Sequence, residues 1–172
     1  MRRSLSLLLV LLAVSGCSYR IQGAPVAAPP PPLSIETPRK TAGVDACKLL
    51  TEADLKPLGS LLFVPAPRVE IPNSCLFTMK ENAYVLVVVP YRSLDESRRI
   101  QSKGREIVTS KHSTWLSCGK QETEMVCTAT IAVTRTESLM VAIGMGGDIP
   151  EARAQASLQP LSVEALKRMP AA

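Results

Sequence analysis

Five cysteines and a single histidine carry most of the reactive chemistry available to this 172-residue chain. A thiol can be acylated, oxidised to a disulfide, or hold a metal, and an imidazole can act as a base or a ligand. Cys17 stands apart from Cys47, Cys75, Cys118 and Cys127, because it closes an apolar run behind two arginines, "MRRSLSLLLVLLAVSGC". A basic start, a short apolar stretch and small residues before a cleavage point describe an export signal. The run at residues 5–14 falls short of the roughly 20 residues a membrane-crossing helix needs. The segment "VSGC" is similar to a bacterial lipobox, which implies cleavage after Gly16 and lipid on Cys17. "RRSLS" matches twin-arginine export poorly, so the general secretory route is expected.

In an exported chain the other four cysteines favour disulfides, for which four thiols allow three connectivities. Their spacings of 28, 43 and 9 lack the close pairs of a structural zinc site, and His112 is the one imidazole. A loop at residues 121–124 sets Lys120 opposite Met125 and so Cys118 opposite Cys127. Opposed strand residues have Cβ atoms roughly 4.5–5.5 Å apart, within reach of a disulfide in a twisted ribbon. Cys118–Cys127 is the preferred bridge, with Cys47–Cys75 as its complement.

Residues 1–16 are thus read as a signal peptide. Residues 17–43 follow as the lipid-attachment cysteine and a proline-rich tether, with four consecutive prolines at 29–32. Proline fixes φ and donates no hydrogen bond, so an extended spacer of about 3.1 Å per residue is expected. Residues 44–170 are read as a single domain. The formal charge of +5 lies mostly outside that domain, since Arg2 and Arg3 belong to the signal and Arg20, Arg39 and Lys40 to the tether. A nucleic-acid partner is not expected of so balanced a surface with six aromatic residues in the whole chain.

The elements that must hold these cysteines follow from hydrophobic period and turn chemistry. "DACKLLTEADLKPLG" begins with Asp45 as a cap, places Thr51 and Asp54 as a capping pair, turns Leu50, Leu55 and Leu58 to one side, and ends at Gly59. The proline-punctuated residues 60–74 read as loop. "CLFTMK" reads as a short strand, and "AYVLVVVPY" as a central one covered on both faces. "LDESRRIQSKGREIV" spaces Leu94, Ile100, Gly104 and Ile107 at helical intervals, which predicts a helix over 94–108. "STWLSC" follows, then "MVCTATIAVT" and "SLMVAIGMG" as an antiparallel pair. Asp148 and Glu151 are spaced as a capping box for a last helix that Pro160 interrupts. The fold class is α+β: a small antiparallel sheet flanked by helices and bridged by disulfides.

The opening "ACKLLTEADLKPLG", a second cysteine starting a strand, a long strand, a helix, "MVCTATIAV" and a terminal helical segment together resemble a family of actinobacterial secreted lipoproteins of unknown function. Those proteins commonly open with "CxLLTxADL". The resemblance spans most of residues 44–170 and implies a lipid-anchored, disulfide-bonded α+β domain on the outer side of the cell membrane; it assigns no reaction. Phe77 stands where that family has tryptophan, and "ARAQASL" lacks a cysteine many members carry.

Enzymatic groupings are sparse. His112 lies among polar residues in "TSKHSTW" and reads as a solvent-facing loop residue. Asp95 and Glu96 are adjacent, so they suit a helix N-terminus better than a converging carboxylate pair. Residues 144–147 lack the lysine and hydroxyl that a phosphate loop requires, and read as a strand end. Met140 and Met145 read as core filling. No cofactor is expected. The expected function is a noncatalytic binding or accessory module at the envelope, joined to the membrane by its N-terminal lipid, with an envelope protein, cell-wall component or apolar ligand as partner. A carrier for a lipid or other apolar molecule, with its cavity beside residues 84–89, is the alternative, and an envelope enzyme with an unrecognised site a further one.

Overall fold

Strands alternate their side chains across a sheet, and from residue 71 onward the chain alternates in step with one buried face. The computed structural model describes residues 32–172; Cys17 and the expected signal peptide lie outside that range. Seven strands form one antiparallel sheet: β1 (Ala66–Arg68), β2 (Ile71–Thr78), β3 (Ala83–Tyr91), β4 (Arg105–Thr109), β5 (His112–Gln121), β6 (Glu124–Ala132) and β7 (Ser138–Gly146). Their spatial order is β1-β2-β3-β7-β6-β5-β4. Three helices accompany them: α1 (Glu52–Leu55), α2 (Leu94–Ile100) and α3 (Glu151–Arg168). The domain is therefore α+β.

One face of the sheet supplies Phe77, Val85, Val87, Ile131, Val141 and Ile143 to a closed core. Its cover is α3, through Ala154, Leu158, Leu161, Ala165 and Leu166, together with Leu49, Leu50, Leu55 and Leu58 from the segment around α1. Thr51 and Asp54 form the expected capping box, Asp45 accepts from the Cys47 N–H, and Gly59 ends the segment at φ 122°. Arg168 fastens this layer by donating to the Leu49 carbonyl at 3.1 Å and pairing with Asp54 at 2.8 Å. Burial pushes the Asp54 carboxyl up, but the Arg168 and Thr51 hydrogen bonds outweigh it and hold Asp54 below its ordinary value. The opposite face is covered in part, by α2.

Both disulfides are present: Cys47–Cys75 ties the first 3-10 turn (Ala46–Lys48) to β2, and Cys118–Cys127 crosses from β5 to β6. In the second, Lys120 faces Met125 and Cys118 faces Cys127 as expected, but Gln121 and Glu124 also pair, so the loop expected over 121–124 is shortened to Glu122 and Thr123.

Several expectations are corrected. The helix predicted over 94–108 stops at Ile100, and Arg105–Thr109 is a strand. Ile107, Val108 and Thr109 are β-branched and alternate across the sheet, which suits a pleated surface better than a helix. Gly104 permits the crossing, because a Cβ there would stand 2.3 Å from Trp115 Nε1, the atom that donates to the Gln101 carbonyl at 3.0 Å. Residues 66–68 and 71–74, expected as loop, join the sheet as β1 and the start of β2. β3 has the expected complete cover on its core face, whereas Tyr84 and Leu86 on the other face are half-buried. α3 has Pro150 rather than Asp148 at its N-cap and runs through Pro160, which is exposed while Leu158 and Leu161 anchor the helix on either side. Residues 32–43, expected as part of the tether, are folded with the domain instead. The Arg39 N–H donates to the Val133 carbonyl, the Lys40 N–H to Pro170 and the Thr41 hydroxyl to Glu137, so the folded unit begins at Pro32.

Candidate functional site

The least covered part of the sheet lies across β1, β2 and β3, on the face away from α3. Leu76 and Leu86 are directly paired there and form an apolar floor. Leu62 and Ile71 raise one wall, and Arg68, Lys80, Asn82 and Glu124 set polar groups around an open cleft of about 490 Å³. Tyr84 faces Gly144 across the β3–β7 pairing. A Cβ at Gly144 would stand 2.1 Å from Tyr84 Cε1, so the missing side chain is what lets the phenol ring lie flat across β7. The ring thereby lies toward β6, where the Glu124 carboxylate shares the cleft with it. Burial first, and then the negative charge of Glu124, push the Tyr84 phenol above its ordinary value. Tyr84 is thus kept neutral, and its ring forms part of the cleft.

Beside this cleft the chain leaves apolar side chains in water. Leu62 is 45% exposed, Phe63 66%, Val64 87% and Val69 95%, four of the six large hydrophobic residues exposed in the described domain. Pro65 and Pro67 interrupt this stretch and keep it out of a long regular strand.

The remaining candidates are placed elsewhere. His112, expected in solvent, is 2% exposed, and its Nδ1 lies 2.8 Å from the Ala132 carbonyl. The hairpin beginning at Lys111 turns the ring under the sheet's end, so it joins strand ends instead of facing a substrate. Asp95 and Glu96 occupy the first turn of α2, with Asp95 paired to Arg98 at 2.7 Å. Met140 is buried and Met145 packs against the core. The four bridged cysteines pack at or beside the core, away from the cleft. Among the described residues no three His, Cys, Asp or Glu side chains converge as metal ligands, and no helix is long and apolar enough to cross a membrane.

The cleft runs along Tyr84 and Leu86, within the 84–89 stretch where the carrier alternative expects a cavity, but its convergence with Glu124 and Gly144 was not anticipated. Its signal was a glycine inside an otherwise apolar strand, Gly144, which marks close approach by something bulky. No family model, curated protein or solved structure matches the chain.

Proposed function

We propose that the protein is a lipid-anchored envelope protein whose folded domain is a noncatalytic binding module, docking a partner at the β1–β3 cleft and the apolar segment beside it. The observation that carries this reading is the exposure of Leu62, Phe63, Val64 and Val69 next to an open cleft, on a sheet whose other face holds the buried core. Exposed apolar surface of this kind marks interaction sites. Its aliphatic and aromatic character suits a protein partner offering apolar side chains better than a polar cell-wall glycan. The lipobox-like "VSGC" and the resemblance to secreted lipoproteins support the membrane address. Between Cys17 and Pro32 lie fourteen residues, so the domain would stand within about 50 Å of its anchor, the limit of a fully extended chain.

One observation favours the carrier reading as a second choice: the cleft lies along Tyr84 and Leu86 and has room for part of an acyl chain. Native mass spectrometry of protein extracted gently from its own membrane separates the two. A bound apolar small molecule sinks the plain module, whereas a photo-crosslinking residue at Phe63 that joins a protein partner, while one at Arg99 does not, supports it. Cys17→Ala tests the anchor. Incorporation of labelled fatty acid should disappear, and unchanged labelling refutes the lipid assignment.

A further inference from the structure

Among the described residues β4 is an edge strand with one side unpaired. Its five residues pair with β5 in unbroken register, without proline or bulge. Native sheets usually block such an edge with proline, lysine, a bulge or brevity. Val108 on this strand is instead 64% exposed. Toward α3 the edge opens into a second cleft of about 320 Å³, floored by Ile107, Leu116 and Ala129 and overhung by Ala152, Ala156 and Leu158.

The β4–β5 turn fixes which backbone groups are free. Ser110 and Lys111 both have positive φ, and Thr109 faces His112 across this two-residue turn. Counting back from that hydrogen-bonded pair, Arg105, Ile107 and Thr109 direct their N–H and C=O groups at β5, while Glu106 and Val108 direct theirs outward.

We infer that β4 is a dimerisation edge: two copies of this chain pair antiparallel through Arg105–Thr109, about a two-fold axis at Ile107. In that register Glu106 of each copy exchanges both backbone hydrogen bonds with Val108 of the other. The two Ile107 residues meet on the axis, where the two α3-side clefts join. Arg105 lies opposite Thr109, and no like charges are directly opposed. Centring the pair on Glu106 would oppose two carboxylates, and centring it on Val108 would run Glu106 against the partner copy's turn. A second copy therefore fits this edge by symmetry, with one preferred register.

The other face adds a charge criterion. Glu106 is paired with Arg98 at 2.6 Å, and Arg98 with Asp95 at 2.7 Å, so this cluster carries a net negative charge where the partner copy's Val108 arrives.

The test uses the full-length chain in mild detergent, followed by sedimentation equilibrium over the micromolar range. Wild type should show a reversible monomer–dimer equilibrium. Val108→Glu should weaken it by about tenfold or more through cross-strand repulsion, while Val108→Lys should leave it equal or stronger. Ile107→Cys should give a covalent dimer on oxidation, and Arg68→Cys on the opposite edge should not. A monomer at every concentration overturns the proposal. So does a lysine that disperses the dimer as fully as the glutamate, or a dimer that Ile107→Cys fails to lock. Val108 is exposed, so its two variants keep the test valid even if Ile107→Cys folds poorly.

Discussion

The two outer strands of the sheet are built to opposite specifications. β1 is three residues long, contains Pro67, carries Arg68, and loses register with β2 between Ala66 and Arg68. β4 is five residues long and regular throughout. Brevity, proline and broken register discourage another chain from adding to a sheet, and β4 lacks these three, although both edges carry charge, Arg68 on β1 and Arg105 and Glu106 on β4. The β1 side thus presents exposed apolar side chains on an irregular segment next to a cleft. The β4 side presents an orderly row of backbone donors and acceptors. A protein with both has two distinct kinds of surface available on one sheet, and neither competes with the other.

The largest disturbance to this contrast comes from unblocking β1. Pro67→Val with Arg68→Thr should give the chain two adhesive edges, and two different two-fold contacts on one molecule extend without closing. Light scattering should then show concentration-dependent growth past dimer, absent when Val108→Glu is added. Next in size are the disulfides, one near each edge. Chain-entropy arithmetic gives about 3.6 kcal/mol for the 28-residue separation of Cys47–Cys75 and about 2.6 kcal/mol for the 9-residue separation of Cys118–Cys127. Replacing each pair by alanine and measuring urea unfolding should therefore weaken the fold more for the bridge on the β1 side.

The contrast was unevenly legible beforehand. Cys118–Cys127 followed from sequence because a short loop leaves the strands little freedom of register, so one count of residues sets every pair. β4 was hidden because Ile100, Gly104 and Ile107 satisfy a helical spacing, while the strand signal is no more than three successive β-branched residues, Ile107 to Thr109, at the end of the stretch. His112 was misread for a related reason: its neighbours are polar, but Ser113 and Thr114 are themselves buried in the strand. The cleft was the least legible part. Tyr84, Glu124 and Gly144 are far apart in the chain, and only the pairing of β3 and β6 with β7 brings them together.

A smaller effect probes that convergence. Gly144→Ala should displace the Tyr84 ring and cost about 1–3 kcal/mol, the usual range for overpacking. Spectrophotometric titration should show the Tyr84 phenol returning toward its ordinary value as it leaves Glu124, while dimerisation through β4 is unchanged. The smallest effect concerns Asp54, which holds α1 to Arg168 over the β2–β3 half of the core. Its folded-state value is depressed, so its contribution is fully present above the unfolded value, about 3.9, and is lost as pH falls through the folded one. Asp54→Asn should lose at most about 1 kcal/mol at neutral pH and show a shallower decline of stability below that value.

The segment that begins the folded unit has a mechanical consequence. Any pull on the chain at Pro32 reaches the Ser34–Ser113 bonds first, then the bonds of Arg39 and Lys40 to Val133 and Pro170, before it loads a strand of the sheet. These few bonds stand in series with whatever holds the N-terminus. Peeling residues 32–41 would release about 35 Å of chain at the extension of a stretched backbone, with all seven strands still paired. Residues 32–41 are therefore a short length of chain that a pull from the N-terminal side would release before the sheet yields.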